Sequence, residues 1–598
     1  MEKRADEKFA TFANFKFHSL QYEVRTLLLA ILVGIIGGLG AIVFRLLINF
    51  FFTILVVFPR VISGNNIALK DFLTVLSPTL GGLIVGAMVY YFATEAKGHG
   101  VPEIVEAVNL KNGRMRIRVP FVKIIASAIT IGSGGSAGRE GPIAQIGGGF
   151  ASVLSQKMHL SAEESKTMVV AGVSAGIAAT FNAPLGGVLF GIEIIRRDLR
   201  SFSVLPLVTA SVIGTAIGDS VLGEQPAFIF PQYDLTFNAW NIPILIIFGG
   251  IMAVIAFLWV RGFYKIEFLF EKLPIMPIFI AGLGGLIVGI LELFYPQVSG
   301  ISYAPIDAAF ALELPFATLL VLAIAKFLAT SASIGSGGSG GVFAPTLFIG
   351  VMLGTAFGLI LESMGIGHIP IPVMALLGMA ALFSGAARAP LTAIIMTSEM
   401  TNDFQLILPL MFTVITAWVI SSLLLKREDI YTLKLRARGV KFTPAIDTLE
   451  DLTVKEIMIK NPLFVHDSDT VNAVLKLIRE SGHTGYPVMK GKELFGVVTE
   501  HDINKNDIEF DTTRIFEICS KDVITISMDQ SVSKAFLKML EKRVNRLPVV
   551  RSQNSLDMVG WITRSDIMRA YWISKTLETN EEFGLKDINS WDPRQFEK

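Results

Sequence analysis

The sequence contains one cysteine among 598 residues, and only 17% of its residues are charged. A single thiol, Cys519, excludes a disulfide within the chain and a metal site built from cysteines, and we expect it to be a small buried apolar residue. The 52 basic residues nearly balance the 51 acidic ones, so the net charge of +1 gives no indication of a nucleic-acid partner. In place of charge the chain has 52% hydrophobic residues and a mean hydropathy of +0.58, which indicate a membrane protein.

Long apolar runs occupy the first two thirds of the chain. They recur from about residue 27 to about residue 425, and a helix that crosses a bilayer needs roughly 20 such residues. From Lys426 onward the composition is that of a soluble protein. The sequence therefore predicts a polytopic α-helical membrane body followed by a polar C-terminal module.

Basic segments predict the orientation of this body. The first apolar run begins near Leu27 and exceeds 30 residues, which is too long and too late for a cleaved signal peptide. Short basic stretches at 109–118, 194–200 and 424–439 mark the cytoplasmic side by the positive-inside rule. We therefore expect both termini in the cytoplasm and the body in a plasma or inner membrane.

Three pairs of segments match in the same order in the two apolar halves. The first two pairs are offset by 203 residues and the third by 206. They are GSGGSAGREGP (132–142) with GSGGSGGVFAP (335–345), LGGLIVG (80–86) with LGGLIVG (283–289), and FNAPLGGVLFGIE (181–193) with ARAPLTAIIMTSE (387–399). The matches predict an internal duplication. Duplicated halves with helices broken at corresponding places are typical of transporters whose site lies where the broken ends meet.

The glycine-rich phrases have the features of an anion site. Non-helical backbone in a membrane is tolerated only where it is buried in protein or lines a polar cavity. Glycines let the backbone approach a ligand, and Pro142 suits the first turn of a following helix. Two helix starts aimed at one point would bind an anion through partial charges and amide donors. The alternative is that the glycines only allow helices to pack closely.

Glu140 is an ionisable residue within an apolar segment, which makes it a functional candidate. Because it directly precedes Gly141 and Pro142, its carboxylate is expected at a positive helix end, where it can occupy the place of a permeating anion. We predict that Glu140 is a gate and that protonation opens it. The alternative is a buried pair in which Arg139 neutralises Glu140.

Three motifs and a tyrosine resemble the CLC chloride channel and transporter family. GREGP (138–142) is identical to the family's gating-glutamate motif, GVFAP (341–345) fits its second anion-binding motif, and GHGVPE (98–103) stands at the place of its first. Tyr431 is similar to the tyrosine that the family places beside the inner anion site. The resemblance covers nearly the whole membrane body. It implies two inverted structural repeats, a homodimer with one pathway in each chain, and chloride or a similar small anion as the transported species.

The family pattern also implies how the anion is held. Backbone amides near Gly138, Val342 and Phe343, the Tyr431 hydroxyl and residue 99 would contact it. The implied anion-binding residues are His99, Gly100, Gly138, Arg139, Glu140, Gly141, Val342, Phe343, Ala344 and Tyr431.

Two positions depart from the family pattern. His99 replaces the family's central serine with a ring that titrates near neutrality, which would attract anions when protonated and donate one hydrogen bond when neutral. The ring is also a candidate proton relay, and alternatively it turns away to bond a backbone carbonyl. Ile194 stands where proton-coupled members carry an inner acidic acceptor, and we expect the adjacent Glu193 to be a structural carboxylate satisfied by helix ends. This favours an uncoupled voltage- or pH-gated channel over a chloride/proton antiporter that uses His99.

The polar module contains a second duplication. Each copy has the pattern strand, helix, strand, strand, helix, with YPVM and LPVV as short buried strands. The copies resemble a pair of CBS domains, in which a threonine contacts phosphate and an aspartate contacts the ribose of an adenine nucleotide. Thr499, Asp502, Thr563 and Asp566 are therefore candidate ligands of ATP, ADP or AMP. The alternatives are that they only cap the next helices, or that the pair is a dimer contact.

These observations predict six parts of the chain and a transport function. The parts are a cytoplasmic N-terminal segment (1–23), a CLC transmembrane domain (24–440, with halves at about 24–225 and 240–425), a linker (441–451), CBS domain 1 (452–507), CBS domain 2 (508–575) and a C-terminal tail (576–598). The expected partners are a small anion, protons in the antiporter alternative, an adenine nucleotide, membrane lipid and a second copy of the chain. No cofactor or metal is required.

Two other classes fit less well. A CBS-regulated cation transporter would need carboxylates or polar oxygens at the midplane, whereas the repeats offer amide donors. An enzyme that uses Glu140 as a general base would need a nucleophile or a metal cluster that the sequence does not supply.

Overall fold

The computed structural model describes most of the chain. The described residues are 2–197, 204–223, 228–231, 233, 239–366, 369–426, 428–437, 449, 452–491, 493–504, 509–552 and 555–579, with backbone alone for 2–22, 222, 504 and 572–579. The predicted linker, apart from residue 449, and the tail beyond residue 579 lie outside them. The chain forms two compact units, residues 1–439 and 440–598.

The described part of the first unit is helical throughout. Its helices are α1 (Glu2–Phe52), α2 (Phe58–Ser63), α3 (Ile67–Tyr91), α4 (Val101–Asn109), α5 (Arg118–Gly132), α6 (Glu140–Lys157), α7 (Ala162–Phe181), α8 (Pro184–Phe190), α9 (Leu205–Leu222), α10 (Asn241–Glu271), α11 (Pro277–Phe294), α12 (Tyr303–Phe310), α13 (Phe316–Gly335), α14 (Phe343–Ser363), α15 (Ile371–Ala387), α16 (Pro390–Thr401), α17 (Ile407–Leu424) and α18 (Leu433–Ala437). Two π-helical turns (Thr53–Val57 and Gly191–Arg196) and two 3₁₀ turns (Thr94–Ala96 and Pro296–Val298) join them.

Seven segments in the described residues are long and apolar enough to cross a membrane. They are Glu23–Ser63, Ile67–Tyr91, Asn241–Glu271, Pro277–Phe294, Phe316–Gly335, Phe343–Ser363 and Ile407–Leu424. Because a hydrocarbon core of about 30 Å needs roughly 20 helical residues, the first unit is a membrane-spanning body. The prediction of a polytopic α-helical body is confirmed.

The two LGGLIVG segments face each other in the body. One lies in α3 and the other in α11, and these helices pack closely. A Cβ added at Gly86 would come within 3.0 Å of Ala281, and one added at Gly289 would come within 2.6 Å of Val75. The glycines of this pair allow α3 and α11 to pack closely.

Two buried hydroxyl pairs join α5 and α13 to the glycine-rich phrases and repeat the duplication. Ser127 Oγ lies 2.9 Å from Ser339 Oγ, and Ser136 Oγ lies 3.0 Å from Thr330 Oγ1. A shift of 203 residues converts Ser127 into Thr330 and Ser136 into Ser339, so each pair is the image of the other. The matching segments are therefore equivalent in space as well as in sequence.

The second unit contains two small α/β units of the same design. Its elements are α19 (Val454–Ile457), β1 (Val465–His466), α20 (Val471–Ser481), β2 (Gly485–Lys490), β3 (Glu493–Thr499), α21 (Glu500–Asn504), α22 (Ile515–Ile518), β4 (Ile526–Ser527), α23 (Val532–Glu541), β5 (Arg546–Val550), β6 (Met558–Thr563) and α24 (Arg564–Thr579). In each copy the first strand pairs in parallel and the third antiparallel with the middle one. The predicted pattern of strand, helix, strand, strand, helix is confirmed in both copies.

The middle strands are buried, as predicted for YPVM and LPVV. Val488 and Val549 are fully buried at equivalent places in β2 and β5. Cys519 is a free, buried cysteine, and burial raises the pKa of its thiol above the usual value. The thiol therefore stays protonated at neutral pH and behaves as a small core residue.

Candidate functional site

The two glycine-rich phrases meet in a reciprocal backbone bridge. The amide of Gly138 donates to the carbonyl of Gly341 at 2.7 Å, and the amide of Gly341 donates to the carbonyl of Gly138 at 2.6 Å. Gly138 and Gly341 are equivalent under the 203-residue shift. The bridge therefore joins the two halves at a point of internal two-fold symmetry, directly before helices α6 and α14.

Each phrase also holds the loop that belongs to the other half. Gly98 N–H donates to Gly338 O at 2.9 Å, while Gly300 N–H donates to Gly134 O at 3.0 Å. These loops lead into α4 and α12, both of which begin with left-handed backbone: φ is +82° at Gly100 and +66° at Ser302. Four broken helix starts, α4, α6, α12 and α14, are therefore tied together through main-chain hydrogen bonds.

Two fully buried lysines, Lys123 and Lys326, donate hydrogen bonds to the backbone of these loops. Lys123 Nζ donates to the carbonyls of Ala96 and Gly98 at 3.1 and 2.8 Å. Lys326 Nζ, 203 residues later, donates to the carbonyls of Val298 and Gly300, both at 3.0 Å, and to Ser302 Oγ at 2.8 Å. Neither ammonium makes an ion pair within 4.0 Å among the described residues. The two lysines therefore hold equivalent loops through their backbone carbonyls.

Glu140 is fully buried at the first position of α6. Its Oε2 accepts from the amide of Ala344 at 3.3 Å, in the first turn of α14, and its Oε1 accepts from the Tyr303 hydroxyl at 3.2 Å. The carboxylate of one half thus lies at the N-terminus of a helix from the other half. This is the place where a helix end stabilises negative charge, and it agrees with the geometry expected for Glu140.

Arg139 does not form a pair with Glu140. Its guanidinium donates to the carbonyl of Thr180 at 3.0 Å and lies over the rings of Tyr303 and Phe181, 5.2 and 5.7 Å from their centroids. No ion pair within 4.0 Å joins it to Glu140 in the part of the chain that the structure describes. The alternative in which Arg139 neutralises Glu140 is therefore not what the structure contains. Arg139 also lines a small cavity together with Arg45.

The remaining glycine-phrase residues surround the bridge closely. Val342, Phe343 and Ala344 are almost entirely buried, and Phe343 packs between the rings of Phe181 and Phe383. A Cβ on Gly141 would overlap the carbonyl oxygen of His99, so only glycine fits there. The amide of Gly138 is engaged in the bridge.

His99 bonds to a tyrosine that no motif in the sequence indicates. Its Nε2 lies 3.2 Å from the hydroxyl of Tyr264 on α10, which in turn donates to the carbonyl of Ile430 at 2.6 Å. The His99 ring is 4% exposed, and its centroid lies 5.7 Å from that of Tyr431. The structure thus brings His99 and Tyr431 together, as expected.

Asp429 positions Tyr431. Its Oδ1 accepts from the amides of Tyr431 and Thr432 at 2.9 and 3.1 Å, and its Oδ2 accepts from Arg197 at 2.8 Å. Tyr431 is 2% exposed, and its hydroxyl makes no hydrogen bond to any described residue. The turn presents a free phenolic hydroxyl within a buried region.

Glu193 and Glu399 cap each other's helices across the two halves. Glu193 accepts from the amides of Leu391 and Thr392 at 3.1 and 2.7 Å, at the start of α16. Glu399 accepts from the amides of Leu185 and Gly186 at 3.0 and 2.7 Å, at the start of α8. The expectation that helix ends satisfy Glu193 therefore agrees with the structure. Ile194 beside it is fully buried.

The four candidate nucleotide residues form two identical capping pairs. Asp502 Oδ2 accepts from the amide and hydroxyl of Thr499 at 2.9 and 2.7 Å, and Asp566 Oδ2 accepts from those of Thr563 at 2.9 and 2.6 Å. Each pair closes the step from a strand into a helix. The structure thus realises the capping alternative, and nucleotide binding stays a prediction.

Several residues of the site were missed because their partners are distant in sequence. Tyr303, Tyr264 and Asp429 are ordinary residues in their own segments. The lysines did leave a signal, because Lys123 and Lys326 are charges in apolar helices separated by the repeat offset of 203.

Comparison with known proteins agrees with this geometry. The family model for the voltage gated chloride channel matches residues 81–422, and the model for the CBS domain matches residues 454–509 and 515–573. The chain belongs to the CLC family. It is therefore a membrane protein of anion transport, in which a CLC body precedes two CBS domains.

Individual CLC relatives carry names of both functional kinds. The chain is 31% identical to a putative chloride channel protein ClcB-like from Ralstonia nicotianae, over 66% of this chain and 92% of that protein. It is 30% identical to the H(+)/Cl(-) exchange transporter ClcA of Vibrio parahaemolyticus, over 67% and 86% respectively. Among solved structures, a slow cyanobacterial Cl−/H+ antiporter matches with a TM-score of 0.64 and 30% identity, covering 70% of this chain and 98% of that one. The CLC fold with two inverted repeats is confirmed.

Proposed function

We propose that the protein conducts chloride or a similar small anion through each chain, with Glu140 as the gate, and that this conduction is not coupled to proton exchange. The observation that carries the gate is the position of the Glu140 carboxylate, which is buried on the Ala344 amide at the start of α14. A bound carboxylate there competes with a permeating anion for the same amide donor. Protonation removes that competition.

The region around Ile194 supports the uncoupled alternative. Ile194 is fully buried and has no titratable atom, and the neighbouring Glu193 is engaged by two amides and the Thr392 hydroxyl. The three donors hold this carboxylate as a cap at the start of α16, so neither Ile194 nor Glu193 offers a free carboxylate to exchange protons with the cytoplasm.

The test is the reversal potential of the purified protein in planar bilayers under a chloride gradient, with and without a pH gradient. We expect the potential to follow chloride alone. A displacement of the potential by the pH gradient would contradict uncoupled conduction. Glu140→Gln should conduct with little pH dependence, whereas strong acid activation of that variant would contradict the gate.

A chloride/proton antiporter that uses His99 is the second candidate. The observation in its favour is the buried contact of His99 with Tyr264, three residues before Glu267 on the same helix. This arrangement places a titratable tyrosine beside His99, whereas Ile194 has no titratable atom. A pH-dependent reversal potential that His99→Ser abolishes would select this candidate.

We also propose that two chains associate in the membrane and that both termini face the cytoplasm of a plasma or inner membrane. Exposed apolar side chains on α9, α16 and α17, such as Val212, Leu391 and Ile415, support a face covered by a second copy or by lipid. Light scattering in detergent should give the mass of two chains. A monomeric mass would contradict association and leave lipid as the cover.

We further propose that the CBS pair binds an adenine nucleotide. Arg546 at the start of β5 donates to the Thr484 hydroxyl at 2.8 Å and to the Gly485 carbonyl at 3.1 Å. A Cβ on Gly485 would lie 2.6 Å from Arg546 Nη1 and 3.1 Å from Thr499 Cγ2. The Arg546 guanidinium therefore lies close to Thr499, which is the candidate phosphate ligand. Burial lowers the pKa of Arg546 from its ordinary value. The guanidinium still stays charged at neutral pH, because that ordinary value is far above neutrality.

Nucleotide binding can be measured by calorimetry on the full-length protein with ATP, ADP and AMP. We expect Arg546→Gln to weaken binding about tenfold or more, because a charged contact to phosphate is worth about 1.5–3 kcal/mol. Arg551→Gln is the matched control, since Arg551 is exposed and pairs with Asp557. If none of the three nucleotides releases or absorbs heat, the capping role alone remains.

A further inference from the structure

The hydrogen bonds around His99 determine which of its ring nitrogens carries the proton. The Tyr264 hydroxyl has one proton, and the 2.6 Å contact with the Ile430 carbonyl uses it, because a carbonyl oxygen can only accept. Toward His99 the same hydroxyl oxygen must then accept. The 3.2 Å contact therefore places a hydrogen on Nε2 of the neutral ring.

The other nitrogen of the ring is left without a partner. His99 Nδ1 is buried and makes no hydrogen bond within the described part of the chain, and the whole residue is 4% exposed. In the Nε2–H tautomer Nδ1 is a bare lone pair, which repels an anion. Neutral His99 thus has no N–H to offer, in contrast to the sequence-based expectation of one remaining donor.

Charged and titratable groups on α4, α5, α10 and α18, and in the turn before α18, act on His99 and Tyr264. Lys123 on α5 donates to the carbonyl of the preceding residue, Gly98, and Lys434 on α18 forms an ion pair with Glu267 on α10. The groups that act on His99 or Tyr264 are Lys123, Lys434, Glu103 on α4, Glu267, and Asp429 and Tyr431 in the turn before α18. Burial opposes a proton on the ring most strongly and the two lysines add to it; an anion bound beside Nδ1 would offset the repulsion from the lysines.

We propose that His99 Nδ1 is the proton-binding atom of a combined site for one proton and one halide, and that Tyr264 is the positioning residue that imposes this requirement. This inference rests on the proposed anion pathway and adds a second protonation event to that of Glu140. A halide approaching the ring binds only when Nδ1 takes up a proton, because the Nε2 proton is held by Tyr264. The proton comes from water, and it leaves again when the halide leaves.

The experiment isolates His99 from the gate by using Glu140→Gln as the background. Chloride binding to the detergent-solubilised, full-length protein is followed by calorimetry in buffers of different ionisation enthalpy, which gives the number of protons taken up per chloride. We expect close to one proton per chloride between pH 7 and 8. The chloride affinity should then fall about tenfold for each unit of pH increase, as linkage of one proton requires.

Two further variants on that background identify the atoms. Glu140→Gln/His99→Ser should bind chloride with no proton uptake, because serine supplies its own hydroxyl donor. Glu140→Gln/Tyr264→Phe should also bind chloride with much less proton uptake and a flatter pH profile, because Nε2 no longer has an acceptor and the ring can place its hydrogen on Nδ1. A merely structural role of Tyr264 would weaken binding equally at every pH.

The outcomes separate this inference from the proposed function. Chloride binding without proton uptake in Glu140→Gln, or uptake that survives His99→Ser, overturns the combined site and leaves the anion pathway intact. Unchanged proton uptake in Tyr264→Phe overturns the role of Tyr264. No chloride binding in Glu140→Gln overturns both the combined site and the pathway on which it rests.

Discussion

Residues 132–142 and 335–345 occupy equivalent places in the two halves, and their backbones bond to each other through Gly138 and Gly341. Their side chains differ. Where the first copy has Glu140, the second has Phe343 at the shifted position, and where the first has Gly141, the second has Ala344. One copy delivers an ionisable group to the junction, and the other delivers the helix start that receives it.

This difference teaches how a duplicated backbone acquires an asymmetric function. A symmetric pair of glutamates would place two like charges at one junction, and one of them would have to be neutral. With Phe343 in the second copy, the N-terminus of α14 is left to donate a hydrogen bond to the single carboxylate. The symmetric backbone sets the geometry, and the asymmetric side chains set the chemistry.

The largest effect on chloride flux is expected when Gly141 of the first phrase is changed to the alanine that the second phrase has at the equivalent position. Gly141→Ala introduces the side chain that Ala344 already has, but its Cβ would overlap the carbonyl of His99. Overpacking of this kind costs about 1–3 kcal/mol, and displacement of His99 should abolish chloride flux in liposomes. Gly250→Ala is the control, because the nearest atom to its Cβ would be 3.5 Å away. Normal flux through Gly141→Ala would show that the junction is not tightly fixed.

A smaller loss of chloride flux is expected when either buried lysine is replaced, and the loss should differ between the two variants. Lys326→Met removes three hydrogen bonds and Lys123→Met removes two. Each lost bond to a charged donor is worth about 1.5–3 kcal/mol, so we expect flux to fall about tenfold in Lys123→Met and further in Lys326→Met. Equal fluxes in the two variants would contradict the difference between the halves.

A moderate gain is expected when the gate loses its second hydrogen bond. Tyr303→Phe removes the hydroxyl that donates to Glu140 and keeps the ring under Arg139. One hydrogen bond contributes about 0.5–1.5 kcal/mol, so chloride flux at neutral pH should rise by a factor of about 2–10. Tyr295→Phe, in the same half of the chain, is the control. Reduced flux in Tyr303→Phe would mean that the hydroxyl assists permeation instead of holding the gate.

The smallest effect is expected at Glu193 and Glu399, the carboxylates that cap helices in the opposite halves of the body. Here the two halves are most alike. Glu399→Gln and Glu193→Gln each remove a carboxylate from the start of a helix, and such caps are worth about 1 kcal/mol. Glu193→Gln should lower the thermal midpoint in detergent slightly more, because Glu193 also accepts from the Thr392 hydroxyl. A large change in chloride flux without a change in stability would assign Glu193 a transport role.

Much of this organisation can be predicted from the order of residues alone. The scarcity of charge determines the membrane body, the 203-residue offset determines the duplication, and Gly141-Pro142 places Glu140 at a helix start. The short apolar runs YPVM and LPVV predict the buried middle strands of the CBS units. Apart from the long offset of the duplication, these features depend on neighbours within a few residues, and a sequence displays all of them directly.

Only the tertiary structure decided which distant groups meet these residues. Tyr303 is 163 positions from Glu140, Tyr264 is 165 from His99, and Glu399 is 213 from Gly186. Such contacts depend on how helices from opposite halves pack, and no local period encodes their distance or the direction of a side chain. The same reason applies to the Thr and Asp pairs of the CBS units. Their spacing in the sequence is compatible with a helix cap and with a ligand site, and only the positions of the atoms show the cap.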